Sequence, residues 1–373
     1  MNQIPSPQEN DKFYGHQPAE KHFLAAYNAT RIHHAWLISG PKGVGKATMA
    51  YRIARFLLDN DATRSDDEPL ALFDAKTLKE IDKPSLSMGR EHPVFRRVAA
   101  NGHPDLSIVQ PGLSEDGKRM QTFITVDKIR DIGRSLSLTS AAGGWRVVII
   151  DGAENLNTNA ANALLKMLEE PPQKVIFILV CHIPSRLIAT IRSRCSHIKL
   201  FPLPTDILDT LLQSYVPTLT GDERQMLIRL SDGSVGRAVE LSTKEGLSIQ
   251  GELIAIFNTL PDLDIECAQK FADLITRREN EHYWQTTKEL TIRNIADLIK
   301  SALSKSDLVS LGYGEVELAS LSRLQSLGNP SKWTKVWEHA FELFTAADNL
   351  NLDRREVILS VFGAMADAAQ TRV

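Results

Sequence analysis

"GPKGVGKATMA", residues 40–50, decides how the first half of the chain is read. Gly40, Gly45 and Lys46 occupy the fixed positions of the phosphate-binding pattern G-x-x-x-x-G-K-[ST], but Ala47 stands where the pattern requires a hydroxyl. Before it, "AWLIS" (35–39) is a short apolar run; behind it, Met49, Ala50, Ile53, Ala54 and Leu57 recur at helical spacing. Strand, glycine loop and helix form the context in which the loop Gly40, Pro41, Lys42, Gly43, Val44 and Gly45 would cradle a polyphosphate, with the backbone N–H groups of its non-proline residues aimed at the ligand. Lys46 then reaches the terminal phosphates. In such enzymes the hydroxyl after the lysine and an acid at the end of a second strand hold Mg²⁺. Ala47 offers no oxygen, and Thr48, one step along the helix, is turned away by about 100°.

The second strand shows a matching loss. "RVVIIDGAENLN" (146–157) gives a buried strand with Asp151 at its carboxyl end, able to help position a metal. The next residue, where many such ATPases have a glutamate that polarises water, is Gly152; Glu154 lies too far along to replace it. Two independent subtractions indicate a loop kept for shape or nucleotide binding rather than for turnover.

Working outward, "TNAANALLKMLEE" reads as a helix ended by Pro171-Pro172, and "KVIFILV" as another strand. Together with "PDLSIVQ" (104–110), solid apolar strands alternate with amphipathic helices. The first half is therefore α/β, a parallel sheet with helices on both faces. Residues from about 60 to 102 are polar and weakly periodic and read as an insertion of loops and short helices, and "SEDGKRMQ" as an exposed turn. After "FPLP" (201–204) strand signals largely vanish. Short helical segments give a small helical domain over 203–245, and helical periodicity fills 246–373. In "SKWTKVWEHAFELF", Trp333, Val336, Trp337, Ala340, Phe341 and Phe344 form a stripe read as core or subunit contact rather than ligand box.

At 373 residues, 43% hydrophobic and 24% charged, with a net charge of -3, the chain has room for two or three domains and no global positive field. DNA contact must come from a local patch or from partners. Cys181, Cys195 and Cys267 show neither disulfide nor zinc spacing. No apolar run reaches bilayer length and the N-terminus lacks a secretory h-region, so a cytoplasmic protein without membrane partners is expected.

"IATIRSRCSHIKL" (188–200) adds the tripeptide Ser193-Arg194-Cys195. Taken with "HHAWLISGPKGVGKATMA", "ITVDKIRDIGRSLSLTSAAGGWRVVIIDGAENLNTNAANALLKMLEEPP" and "IPSRLIATIRSRC", it resembles the clamp-loader branch of the AAA+ ATPases, in particular the delta-prime family of bacterial DNA polymerase III loaders. The resemblance covers residues 14–202 strongly and the rest more loosely. It implies three domains: an AAA+ module (1–202), a helical lid (203–245) and a helical collar (246–373). It also implies a five-membered ring with gamma/tau-type and delta-type subunits, acting on a sliding clamp and on primed DNA mainly through the assembly. In that family the subunit is a stator, and Arg194 would be an arginine finger offered in trans to a neighbouring ATP site. Such a finger is worth about 10³ to 10⁵ in rate. ATP or ADP held without turnover would be the cofactor.

Three departures from the family stand out. "HPVFRRVAANGHPDLS" reaches His103 without a cysteine of the family's zinc module, so no zinc is expected. The sensor position after the third strand falls on Cys181 or His182, and the lid arginine aligns with Gly236, one place before Arg237. Tyr14, Gly15 and His16 lie where relatives contact adenine. His33 and His34 read as local hydrogen-bonding residues. Lys128, Arg130 and Arg134 fall partly on one helix face, either a solvated face or a contact to DNA phosphates. Two other readings stay open: an active P-loop ATPase in which Thr48 or a water replaces the missing ligand, and a pure scaffold with a vestigial loop.

Overall fold

The computed structural model describes residues 5–29, 32–60, 85–112, 123–137, 144–243, 245–276, 281–304, 313–327 and 329–370. Residues 61–84, the first part of the expected insertion, and the expected turn at 114–121 lie outside this set.

Five strands, β1 (Ala35–Ser39), β2 (Leu106–Val109), β3 (Arg146–Asp151), β4 (Val175–Cys181) and β5 (Ser196–Lys199), form one parallel sheet in the order β2-β3-β4-β1-β5. Side chains alternate across a strand, so a strand covered on both sides must be apolar at every position. Trp36, Ile38, Val147, Ile149, Ile176 and Ile178 enter one core, shared with α1 (Gln17–Asn28), α2 (Lys46–Asn60) and α3 (Pro93–Ala99). Their neighbours Leu37, Val148, Ile150, Phe177 and Leu179 enter the other, against α4 (Val126–Ser137) and α5 (Thr158–Glu169). The unbroken apolar runs thus split residue by residue between two cores. Asn157 caps α5, its Oδ1 accepting from the Ala160 N–H at 2.8 Å. A short helix, α6 (Ala189–Arg192), links β4 to β5.

Four of the strands match the sequence reading; β5 was not anticipated. "SHIK" is short and only Ile198 is fully buried in it, because the strand pairs with β1 alone and has one covered face.

Contacts divide the chain into two compact units, with the boundary inside α7 (Thr205–Tyr215), after Ile207. The second unit is helical: the rest of α7, then α8 (Gly221–Ser231), α9 (Val235–Thr243), α10 (Gly246–Thr259), α11 (Ile265–Thr276), α12 (Glu281–Ser304), α13 (Glu315–Leu327), α14 (Pro330–Leu350) and α15 (Arg354–Ala369). Residues Leu208–Leu241, within the expected lid (203–245), contribute to the same hydrophobic cluster as the helices of the expected collar. On α14, Trp333, Val336, Ala340 and Phe344 are buried in that cluster, while Phe341 is exposed with its ring stacked on Trp337 at 5.6 Å. Among the described residues no helix is long and apolar enough to cross a membrane.

Candidate functional site

The sheet register places the chemistry on one rim. Ser39, the last residue of β1, lies opposite Cys181 on one side and Lys199 on the other, and Asp151 lies opposite Val180. The glycine loop, Asp151, Glu154 and Cys181–His182 therefore converge at the carboxyl ends of β1, β3 and β4, where open α/β sheets bind ligands.

The loop is shaped by its glycines. Gly40, Gly43 and Gly45 have φ of 151°, 76° and 107°, conformations that L side chains rarely adopt. At Gly40 a Cβ would sit 2.4 Å from the Leu200 carbonyl oxygen, so only glycine lets the chain leave β1 beneath the segment that follows β5. Val44 is buried; Pro41 and Lys42 are exposed. His16 is buried below the loop, and its Nε2–H donates to the Val44 carbonyl at 3.0 Å; burial holds its pKa below the ordinary histidine value. Phe13 supports Gly45 from the same side, and Gly15, with φ of 77°, packs against Leu203. Of the three residues expected near an adenine, Tyr14 is exposed and His16 instead braces the loop.

Lys46 opens α2 and is 3% exposed. Its ammonium donates to the carbonyls of Gly40 and Pro41, at 2.8 and 2.5 Å. Burial pulls its pKa down to about 8, against the opposing pull of Glu154 and Asp151. Ala47 is half-buried and Thr48 is buried. Burial also raises the Asp151 carboxyl above the ordinary range, with His182 and Lys46 opposing.

Glu154 is engaged elsewhere. Its Oε1 accepts from the main-chain N–H of His182 at 2.9 Å and from the His182 ring Nδ1–H at 2.8 Å. Burial would raise its pKa, but these bonds outweigh burial and hold it at about 2. Cys181, buried beside the same carboxylate, is pushed to about 12. The loop thus fits a polyphosphate, through its glycine conformations, the start of α2 and Lys46. The set does not fit a complete hydrolytic site: the magnesium oxygen is missing at Ala47, and Glu154, the nearest carboxylate to the water-polarising position, is tied to His182.

Arg194 lies apart from this rim in its own module. It follows α6, where its main-chain N–H donates to Ile191 at 3.1 Å and that of Cys195 to Arg192 at 3.3 Å; β5 begins one residue later. The Cys195 thiol donates to the Ile191 carbonyl at 3.2 Å, and burial pushes it to about 12. Ser193 Oγ donates to Thr190 at 3.1 Å. The backbone is fixed, but the arginine side chain is 37% exposed, its guanidinium bonded to the Thr190 carbonyl at 3.1 Å and to Glu169 Oε1 at 2.7 Å.

Other expected residues separate. His34 donates to the Leu168 carbonyl at 2.9 Å and stacks on His33, in keeping with local roles. Arg130 and Arg134 line a groove of about 920 Å³ between α4 and α5 together with Asn159, Asn162 and Lys166, each arginine also facing an aspartate three residues back. Lys128 instead donates to the Gln110 carbonyl at 2.9 Å. In the second unit, Arg237 pairs with Glu289 at 3.2 Å. Sequence reasoning missed the Glu154–His182 bond, whose only signal is that both residues follow the ends of adjacent strands. It also missed Arg52 and Arg55, buried arginines of α2 that hold the N-terminal segment by the carbonyls of Asp11, Gln8 and Asn10.

Residues 75–204 match the family model described as DNA polymerase III, delta subunit. Over 226 residues the chain is 33% identical to DNA polymerase III subunit delta' of Escherichia coli, covering 60% of this chain and 59% of that protein. The matched part of the chain is similar to DNA polymerase III delta' subunits. The chain spans about three-fifths of that relative's length. It is also 26% identical over 339 residues to DNA polymerase III subunit gamma of Buchnera aphidicola, covering 90% of this chain and 81% of that one. Among solved structures, a gamma subunit-related protein from Thermotoga maritima aligns with 93% of this chain and 99% of its own, at 16% identity and a TM-score of 0.42.

Proposed function

We propose that this chain is a non-hydrolysing subunit of a DNA polymerase III clamp loader that supplies Arg194 in trans to an ATP site on a neighbouring subunit. The observation that carries the reading is the state of Arg194: a hydrogen-bonded backbone bearing a guanidinium that, among the described residues, meets a half-exposed carboxylate and one carbonyl. An arginine whose charge is needed within its own module would be buried and paired with a buried carboxylate, as Arg229 is in the second unit, where its Nη2 donates to both Glu317 oxygens.

The incomplete magnesium site supports the non-hydrolysing half. ATP or ADP would be held by residues 40–46, with Lys46 transferring its hydrogen bonds from loop carbonyls to phosphate oxygens. A bound nucleotide would supply polyphosphate charge to organise the loop. With Ala47 in place of a hydroxyl and Glu154 engaged by His182, Asp151 would be left to position a metal without its partner ligand and without a carboxylate to polarise water. The partners would be gamma/tau-type and delta-type subunits in a five-membered ring, with the sliding clamp and primed DNA met through the assembly, in the cytoplasm. Residues 203–245 would serve as lid and 246–373 as collar.

The test is hydrolysis of MgATP by the purified chain and by an assembly with the ATPase partner. The isolated chain should show none above background; adding it to partner, clamp and primed DNA should raise turnover, and Arg194→Ala should remove that gain while leaving assembly intact. Mg-dependent hydrolysis by the isolated chain, lost in Lys46→Ala, would overturn the proposal. The bonds from Lys46 to its own loop favour a second reading, a vestigial loop in a scaffold. Equilibrium binding of ADP separates the two: micromolar affinity supports a nucleotide-holding loop, and none up to millimolar supports the scaffold.

A further inference from the structure

Two acids, Glu169 and Glu170, stand at the carboxyl end of α5, just before Pro171-Pro172. This is the negative end of the helix dipole, where a carboxylate is disfavoured and a cation is favoured. Lys166 already stands in the last turn of α5, and Arg194 is a second cation that reaches this end from outside the helix, its Nη2 bridging to Glu169 Oε1 at 2.7 Å and its Nη1 donating to the Thr190 carbonyl at 3.1 Å. Both contacts belong to the same module, so together they turn the guanidinium back onto its own domain. Neither is deep: the Glu169 side chain is half exposed and that of Arg194 is 37% exposed. An ion pair of that exposure is weak enough to be exchanged for a triphosphate, whose oxygens offer more charge and more acceptors.

We infer that Glu169 is a positioning residue that parks Arg194 against α5 and α6 between catalytic encounters, so that engagement in trans requires the guanidinium to leave this carboxylate. This rests on the finger reading above and deepens it. Parking has a physical advantage: it removes an unpaired cation from the module surface, where it would attract phosphates indiscriminately. It also carries a definite penalty, because part of the finger's attraction to the developing phosphoryl charge is spent in breaking the pair. Neutralising Glu169 should therefore release the finger. An exposed pair of this kind corresponds to a factor of up to about five in an equilibrium, which sets the size of the gain.

The experiment is steady-state ATP turnover by the reconstituted clamp-loader assembly with sliding clamp and primed DNA, using this chain as wild type, Glu169→Gln, Arg194→Ala and the double variant. Parking predicts that Glu169→Gln raises kcat by about two- to fivefold with KM for ATP unchanged. It further predicts that the same substitution has no effect in the Arg194→Ala background. Glu169→Asp, which keeps the charge on a shorter arm, should fall between wild type and Glu169→Gln. A fall in kcat or no change with Glu169→Gln, while Arg194→Ala is defective, overturns the parking role and leaves the finger intact. An equal rise in both backgrounds overturns it as well. If Arg194→Ala behaves as wild type, the finger reading itself is lost, and the parking role with it.

Discussion

Lys46 is a cation buried by its own loop. Below pH 8 it is charged in both folded and unfolded chains, and the folded state bears the full desolvation penalty. Between about 8 and 10.5 the unfolded chain binds the proton more tightly than the folded one, so stability rises with pH across that window. Replacing the charge with an apolar side chain of similar length should therefore help the fold. Lys46→Met is expected to raise unfolding stability at pH 7 by on the order of 1–3 kcal/mol, an advantage that shrinks as pH climbs past 8 towards 10.5. Urea denaturation of both proteins at pH 7 and pH 10 measures this; a less stable variant at pH 7 would show that the bonds to the Gly40 and Pro41 carbonyls outweigh desolvation. Much at this scale was legible beforehand: the glycines, Lys46, Ala47 and Asp151 stand where the pattern puts them. The fate of Glu154 was not, because its partner is 28 residues away and meets it only once β3 and β4 pair.

Among elements, the parallel strands declared themselves through unbroken apolar runs, since both faces of the sheet are covered. β5 was hidden because an edge strand with one buried position carries almost no periodic signal. The N-terminal segment was hidden for another reason: its anchors lie on α2. Arg55 is 1% exposed, its guanidinium 4.4 Å from the Phe95 ring and donating to the Asn10 carbonyl at 2.8 Å and the Gln8 carbonyl at 3.4 Å. Arg52 donates to the Asp11 carbonyl at 2.8 Å and pairs with Glu20. No local pattern announces an arginine that serves a backbone more than forty residues earlier. If Arg55 holds this segment, Arg55→Met should loosen it without melting the sheet. Amide exchange over residues 8–14 should then accelerate at least tenfold, while that of β1 and β4 stays within a factor of about two. Unchanged exchange over 8–14 would assign the anchoring to Arg52 alone.

Across the whole molecule, each unit has its own core. The second is pinned by a buried polar network. Arg229 donates to both Glu317 oxygens at 2.7 Å and stacks on Tyr313 at 3.7 Å. Gln250 donates to Glu317 at 2.8 Å, and Tyr313 donates to Asp297 at 2.7 Å. Removing one partner of such a pair leaves an uncompensated charge. Glu317→Ala should accordingly cost about 3–5 kcal/mol in the unfolding of the helical unit, followed by calorimetry, while the sheet-containing unit keeps its transition. A joint drop of both transitions would mean that the units unfold as one. The helical character of this half was readable from periodicity, but the network joins residues up to 88 positions apart and only the fold assembles it.

The central claim is that this chain has lost its own hydrolysis and lends a cation to a neighbour's. Its most direct test is the DNA-dependent ATP turnover of one reconstituted assembly, containing either wild type or Arg194→Ala, with ring formation verified by size-exclusion chromatography. The account predicts intact rings in both cases and, at the site this subunit completes, a turnover lower by at least about a thousandfold with the variant, the lower end of the range of about 10³ to 10⁵ for a finger in full contact. Equal turnover from two equally assembled rings would contradict it.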